Sequence, residues 1–134
     1  MVIACDLLEM NPIETVKFVM GDFTASSTQE EIIKANENNK FDTIISDIAP
    51  NTTGHKKTDQ IRSIGLIEQV LFFAQVNLKI DGCLVVKVFQ GAGFDTLVSE
   101  FRLNFKKVII SKPKSSKAES KEVYIVAQGF KAET

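Results

Sequence analysis

Apolar runs alternate with segments of helical spacing along the chain, and this alternation predicts its secondary structure. Short apolar runs bounded by polar residues are typical of buried strands. We therefore predict strands at Val2–Cys5, Val16–Met20, Thr43–Ile45, Cys83–Phe89, Val108–Ile110 and Val123–Ala127. Strands that alternate with helices favour a mostly parallel sheet with helices on both faces. The pattern thus indicates an α/β fold.

Three helices are predicted from apolar spacing and boundary signals. Ser27–Glu30 has the form of a capping box, and the helix that it begins should continue to about Asn36. A longer helix should cover about Thr58–Leu78, and Asp81–Gly82 should turn the chain out of it. Spacing of i, i+3, i+4 and i+7 predicts the third helix, at Phe94, Leu97, Val98 and Phe101. We find no repeat, linker or domain boundary, so residues 1–134 should form a single domain.

The connection between the last two predicted strands decides their relative direction. The residues between Ile110 and Val123 are rich in serine and lysine and show no helical period. A parallel pair needs a crossover connection, usually a helix, which this segment cannot supply. The last two strands should therefore form an antiparallel hairpin.

Composition is that of an ordinary soluble domain, with 134 residues, 44% of them hydrophobic and 25% charged, and a formal net charge of −1. No apolar run approaches the ~20 residues of a membrane span, and the start, MVIACDLLEM, lacks the pattern of a secretory signal. We therefore expect a cytoplasmic protein without a membrane partner. Cys5 and Cys83 lie in apolar runs, as structural thiols do, and the single histidine, His55, suits a solvated loop. We expect no metal site.

The near-zero net charge conceals an uneven distribution of charge. From Arg102 to Lys121 there are seven basic residues and one acidic residue, Glu119, whereas the rest of the chain is acidic. A lysine-rich stretch is the expected electrostatic footprint of a partner with a phosphate backbone. A loop whose lysines only contact solvent explains it equally well, and both alternatives stay open at this point.

Three of the early strands close on an aspartate: Asp6, Asp22 and Asp47. Ligands of open α/β sheets bind at the carboxyl ends of the strands, so this pattern places three carboxylates along one edge. Asp6 is suited to accept hydrogen bonds from both hydroxyls of a ribose, and Asp22 from an adenine amine. Each aspartate alone could be a helix cap or a turn residue, but three in register favour a nucleoside site.

Lys87 interrupts VVKVF, a run that should be buried on both faces of the sheet. Lysines are almost never fully buried without a partner or a chemical task, although a lysine at a strand end can also reach solvent. Because the last strand runs antiparallel, its first residue, Glu122, should lie at the edge that holds Asp47 and Lys87. An acid, a base and a second acid are therefore expected around one nucleoside site.

Several motifs together resemble a known family. They are SDIAPNTTG (Ser46–Gly54), VVKVFQGAGFD (Val85–Asp95) and KPKSSKAESKEVYIVA (Lys112–Ala127), with IACDLLEMNPI (Ile3–Ile13) and GDF (Gly21–Phe23). In this order they closely resemble the FtsJ/RrmJ-type ribosomal RNA 2′-O-methyltransferases over essentially the whole chain. Any one piece alone, such as the G-x-G of Gly91–Gly93, would be a weak signal.

The resemblance implies a Rossmann-like methyltransferase fold of strand order 3-2-1-4-5-7-6, with the seventh strand antiparallel. It implies S-adenosylmethionine as the methyl donor and a uridine ribose of large-subunit (23S) ribosomal RNA as the acceptor, either free or within the assembled subunit. By resemblance, the catalytic residues are Asp47, Glu122 and Lys87, which is the proton acceptor. The residues that bind the cofactor are Asp6, Asp22 and Asp47.

The resemblance assigns the basic residues to RNA phosphates: the lysines of 106–121 together with Lys56, Lys57 and Arg62.

Two neighbouring carboxylates should raise the pKa of Lys87, whereas burial and the positive charge of the cofactor should lower it.

The departures from the family all lie at the front of the chain. Before the segment matching Val2–Asp6, family members carry a first catalytic lysine, a first strand and a glycine-rich turn of the D-L-G-x-x-P-G-G kind, whereas here only Met1 precedes it. We therefore interpret the chain as an N-terminally truncated methyltransferase that alone should bind cofactor poorly and not methylate RNA. Its unpaired strand edges favour self-association.

Two other functions compete with this interpretation. A non-catalytic RNA-binding module would use the basic hairpin without any chemistry. A nicotinamide-dependent oxidoreductase would use Asp6 for the ribose of its cofactor. The oxidoreductase is disfavoured because it needs the same glycine turn and leaves Lys87 and Glu122 unexplained.

Overall fold

The structure, a computed structural model, describes residues 2–6, 16–48, 53–112 and 122–131. Along these ranges the elements are β1 (Val2–Asp6), β2 (Val16–Met20), α1 (Ser26–Ala35), β3 (Phe41–Ser46), α2 (Lys56–Asn77), β4 (Leu78–Phe89), α3 (Phe94–Asn104), β5 (Phe105–Ser111) and β6 (Glu122–Phe130). The chain divides into two compact units, Met1–Phe41 and Asp42–Thr134. A single domain over residues 1–134 stays a prediction.

The first unit contains a two-stranded parallel sheet in which Asp6 of β1 lies opposite Met20 of β2. Because the strands are parallel, both end at the same edge of this sheet. Helix α1 buries Thr28 and Ile32. A Cβ at Gly21, directly after β2, would lie 2.6 Å from the Thr28 hydroxyl oxygen, so the absence of a side chain there lets the helix approach the strand.

The start of α1 differs from the predicted capping box. Ala25, not Ser27, occupies the N-cap position, and it makes no side-chain hydrogen bond. The preceding turn is fixed by Asp22, whose Oδ1 accepts hydrogen bonds from the backbone N–H and the hydroxyl of Thr24. Because this turn brings the chain into the helix before Ser27, the serine lies within the first turn and the capping-box prediction is wrong.

The second unit contains a four-stranded sheet of order β3-β4-β6-β5. β4 and β6 are antiparallel, with Leu84 opposite Ala127, and β5 and β6 are antiparallel, with Val108 opposite the same alanine. The predicted C-terminal hairpin is therefore confirmed. The order agrees with the last four strands of 3-2-1-4-5-7-6, and the pair β1-β2 agrees with its neighbouring strands 3 and 2.

Burial alternates along β4 and β6 and places the core of this unit on one face of the sheet. Leu84, Val86 and Ile125 are 0% exposed, whereas Val85 and Lys87, on the opposite face, are only partly buried. Helices α2 and α3 contact each other and the sheet, so both cover the buried face. The prediction of helices on both faces is not met within this described sheet. The chain moves in one direction from β3 through β4 to β5, and right-handed connections then place successive helices on the same face.

The junction between α2 and β4 is also more direct than the sequence suggests. The helix ends at Asn77 and the strand begins at Leu78, so the predicted turn at Asp81–Gly82 is instead a bend within β4. Asp81 has φ +68°, a left-handed conformation, and its carboxylate accepts a hydrogen bond of 2.7 Å from Lys106 Nζ.

Among the described helices, none combines the length and the hydropathy that crossing a membrane requires.

Candidate active site

Lys87 lies in the second half of β4, between two residues that belong to the core. Val86 and Val88 point to the helix-covered face and are 0% and 1% exposed. Because side chains alternate along a strand, Lys87 points to the other face, where its side chain is 20% exposed. The lysine is therefore held by a well-packed strand without entering the core itself.

Asp47 follows β3 directly and forms an ion pair with Lys87 through its Oδ1. β3 and β4 are neighbours in the sheet, so the end of β3 lies beside the strand that carries the lysine. Asp47 is 67% exposed. The structure thus brings together two of the residues that the sequence placed at one edge, with the carboxylate on the solvent side of the lysine.

Strand β6 contributes the other polar groups around Lys87. Tyr124 lies directly opposite Lys87, and Glu122 lies opposite Phe89, the last residue of β4. Residues two apart on a strand share a face, so Glu122 and Tyr124 are on the same side of the sheet as Lys87. The predicted placement of Glu122 follows from the antiparallel hairpin. Tyr124 was not predicted, although its spacing from Glu122 is a signal that it shares this face.

The surroundings of Lys87 favour its charged form. The hydrogen bond to Asp47 raises the pKa of Lys87, and the charge of Asp47 and those of Glu122 and Tyr124 act in the same direction. Burial opposes them by lowering the pKa, but the net direction is upward. The ammonium group is therefore held in place by the Asp47 carboxylate, and a lysine that accepts a proton must first lose one.

The two aspartates of the first unit are placed differently. Asp6 is the last residue of β1, and its side chain lies outside what the structure describes. Asp22 is exposed two residues after β2, at the edge where both strands end. Its Oδ1 accepts hydrogen bonds from Thr24 N–H (2.9 Å) and Oγ1 (2.7 Å), which lower the pKa of Asp22. Ionised carboxylates only accept hydrogen bonds, and the ribose hydroxyls and adenine amine of S-adenosylmethionine donate them, so acidic residues are chemically suited to those parts of the cofactor.

Asp59, in the first turn of α2, is a second residue that sequence reasoning missed. Its Oδ1 accepts hydrogen bonds from the backbone N–H and the hydroxyl of Thr53, at 2.7 and 2.8 Å, and these lower the pKa of Asp59. They hold the end of the segment that joins Asp47 to α2. An acidic residue in the first turn of a predicted helix is the only sequence signal for it.

The described basic residues assigned to RNA are exposed. Arg62 and the lysines at 56 and 57 lie on the first turns of α2, and Lys107 lies on β5. Lys106 is also exposed but pairs with Asp81. The lysines at 114, 117 and 121 lie outside the described residues.

Cysteine and histidine take no part in this site. Neither Cys5 nor Cys83 takes part in a disulfide, and each is half-buried on its strand, whereas His55 is an exposed residue at the N-cap of α2. Within the described ranges, no three histidine, cysteine or acidic side chains are grouped so that they could hold a metal ion.

Comparison with known proteins identifies the family. The sequence model of the FtsJ-like methyltransferases matches residues 1–130. This chain belongs to the FtsJ-like methyltransferase family. It is 49% identical over 129 residues to the ribosomal RNA large subunit methyltransferase E of Francisella tularensis subsp. novicida, a match that covers 96% of this chain and 63% of that relative. The chain thus spans less than two thirds of the relative's length.

Solved structures agree with this FtsJ-like assignment. A Plasmodium falciparum protein described as a ribosomal RNA methyltransferase superposes with a TM-score of 0.86 and 26% identity, covering 98% of this chain and 73% of that one. A methyltransferase from Streptococcus mutans, solved in complex with SAH, gives a TM-score of 0.55 and 14% identity over 96% of this chain and 71% of its own. That second likeness shows the fold alone. The Rossmann-like α/β fold of a methyltransferase is therefore established.

Proposed function

We propose that this protein methylates the 2′-hydroxyl of a uridine ribose in large-subunit (23S) ribosomal RNA, with S-adenosylmethionine as donor. The main observation behind this proposal is the ion pair between Lys87 of β4 and Asp47, which directly follows the neighbouring strand β3, with Glu122 on β6, in an FtsJ-like methyltransferase. The Francisella relative is a methyltransferase of large-subunit ribosomal RNA, which supports this substrate.

Lys87 is the proposed proton acceptor. When bound, S-adenosylmethionine supplies a methyl group on a positively charged sulfur. Forming the new carbon–oxygen bond requires the 2′-hydroxyl to lose its proton, and the neutral amine of Lys87 receives it. Asp47 then stabilises the resulting ammonium, and Glu122 adds a second negative charge nearby. A positioned general base typically contributes about 10²–10⁴-fold to the rate.

The cofactor and the RNA are assigned to different groups of residues. By resemblance, Asp6 would hold the ribose of S-adenosylmethionine and Asp22 its adenine, and Asp47 is the third residue assigned to the cofactor. The exposed Lys56, Lys57, Arg62 and Lys107 supply positive charge for RNA phosphates, whose binding weakens as salt rises. A cytoplasmic location accords with a ribosomal RNA substrate.

A radiolabelled-methyl assay with large-subunit ribosomal RNA tests the proposal. Because the chain spans 63% of its relative, the assay is run on this chain and on a form extended at the N-terminus. In the active form, Lys87→Ala should lower turnover by about 10²-fold or more, because the proton acceptor is lost. Lys79→Ala is the matched control, since Lys79 lies on the same strand in an exposed pair with Asp42.

The outcomes separate the competing functions. Turnover that rises with pH in the unchanged enzyme, and that is lost in Lys87→Ala only, supports the proposal, because the raised pKa of Lys87 requires deprotonation before it accepts a proton. If both forms bind ribosomal RNA but neither methylates it, the proposal is wrong and a non-catalytic RNA-binding role replaces it. If Lys87→Ala retains full turnover, Lys87 is not the proton acceptor.

A further inference from the structure

The loop that joins β4 to α3 carries the G-x-G motif, Gly91–Gly93. Both glycines have positive φ, +152° at Gly91 and +86° at Gly93, and Gly93 is the N-cap of α3. The backbone N–H of Phe94 donates to the Gly91 carbonyl at 3.1 Å. The loop is therefore a tight turn, and its conformation favours glycine independently of any nucleotide.

This turn packs against the first turns of α2. A Cβ at Gly91 would lie 3.1 Å from Cδ of Gln60, and one at Gly93 would lie 3.4 Å from Ile64. Gln60 Nε2 donates hydrogen bonds to two carbonyls, that of Phe89 at 3.0 Å and that of Ala92 at 3.2 Å. The missing side chains of the glycines let α2 come close, and Gln60 joins the helix to the end of β4 and to the middle of the turn.

The position of these hydrogen bonds matters for Lys87. Phe89 is the last residue of β4, two residues beyond Lys87, and it forms the final pair with Glu122. Strand ends open more readily than strand centres because they have fewer flanking pairs. A side chain that binds the Phe89 carbonyl therefore restrains the part of β4 where the lysine must meet Asp47 and face Glu122.

We propose that Gln60 is a positioning residue for Lys87: by fixing the end of β4 and the following turn to α2, it keeps the lysine aligned with Asp47. The catalytic meaning of this role rests on the proposed function, but the positioning itself does not. A glutamine near the start of a helix is an ordinary surface residue by sequence, so this role is visible only in the fold.

Competitive labelling of lysines with an amine-reactive anhydride, read by mass spectrometry across a range of pH, tests the proposal on this chain without RNA or cofactor. The reagent reacts with neutral amines, so the rate at Lys87 reports both its pKa and its contact with Asp47. Within the described ranges, the charged and titratable groups that act on Lys87 are Asp47, Glu122 and Tyr124. Lys79, on the same strand, is the internal reference.

The variant is Gln60→Met, which keeps the length of the side chain and removes the donor without adding charge. We expect the ratio of Lys87 to Lys79 labelling at pH 8 to rise about threefold, because a weaker contact with Asp47 lowers the pKa of Lys87 and increases the fraction of neutral amine. The matched control is Gln69→Met, at an exposed position of the same helix, which should leave the ratio unchanged. A role in stability alone would lower the unfolding midpoint and leave the ratio the same in the folded protein.

Three results would overturn the proposal: an unchanged ratio in folded Gln60→Met, an equal rise in Gln69→Met, or a rise that persists when Asp47 is also replaced by Asn. If Gln60→Met does not fold, Gln60→Asn, whose shorter side chain cannot reach both carbonyls, replaces it with the same expected rise. Absence of methylation by both unchanged forms in the assay above contradicts the proposed function and does not affect the labelling result. An unchanged labelling ratio in Gln60→Met contradicts the positioning role of Gln60 and does not affect the proposed methyl transfer.

Discussion

Lys87 and Asp22 are both polar residues next to apolar stretches of the sequence, yet different interactions fix their positions in the two units. Lys87 lies between Val86 and Val88, which are almost completely buried, and it has a partner strand opposite. Asp22 lies in an exposed turn and is held by hydrogen bonds to Thr24, two residues away. The core of a unit thus fixes the proposed base, whereas a local turn fixes the proposed cofactor ligand.

The largest loss of stability in this comparison should come from a change in the core that packs behind Lys87. Ile125 is 0% exposed on β6, next to the strand that carries the lysine, so Ile125→Ala removes packed atoms and leaves a cavity. We expect the free energy of unfolding, measured in urea, to fall by about 2–5 kcal/mol. The matched control is Ile109→Ala on β5, where the side chain is 41% exposed. Equal losses in the two variants would contradict a core confined to the helix-covered face.

The sequence alone predicts much of the region around Lys87. A lysine within a strand of apolar residues points to a task, and the lack of helical period before Glu122 predicts the hairpin that brings this acid to the same edge. Both inferences use strong physical rules, the cost of burying a charge and the length needed for a parallel crossover. This explains why the antiparallel hairpin and the proximity of Asp47 and Lys87 agree with the expectation.

Features that depend on contacts between distant segments could not be predicted in this way. The serine expected to cap α1 lies inside the helix because the turn at Asp22 already sets its start. The hydrogen bonds of Gln60 span 29 and 32 residues, and no periodicity records such a contact. Side-chain hydrogen bonds to distant backbone carbonyls depend on how helices pack, which the local pattern leaves open.

An intermediate effect should come from the ion pair itself. Asp47→Asn removes the negative charge that holds the Lys87 ammonium, and since Asp47 is two-thirds exposed we expect a loss of about 1 kcal/mol at pH 8. The pKa of Lys87 is raised in the folded state, so this stabilisation is complete below about pH 10 and is lost as the pH rises through the folded pKa. Urea unfolding at several alkaline pH values measures it.

The control for this pair is Asp42→Asn, which breaks the exposed ion pair of Asp42 with Lys79. An exposed ion pair contributes little to stability, so Asp42→Asn should lower the free energy of unfolding by less than Asp47→Asn at every pH. Asp47→Asn and the unchanged chain could instead differ in free energy of unfolding by the same amount up to the highest pH. That result would show that Lys87 is not the partner through which Asp47 acts.

The smallest effect should come from the turn of the first unit. Asp22→Ala removes the acceptor of both Thr24 hydrogen bonds, whereas Asp22→Asn keeps an oxygen in the same place. The pKa of Asp22 is lowered, so its contribution is complete above about pH 4 and is lost as the pH falls through the folded value.

The amide proton shift of Thr24, followed by NMR during an acid titration, should therefore titrate in the unchanged chain and stay constant in Asp22→Asn. In Asp22→Ala the Thr24 amide proton shift should differ from that of the unchanged chain at every pH. The unfolding midpoint should hardly change, because no core packing is lost. A fall in that midpoint as large as the one in Asp47→Asn would show that the turn at Asp22 stabilises the fold as strongly as the ion pair does, and the contrast between the two regions would be wrong.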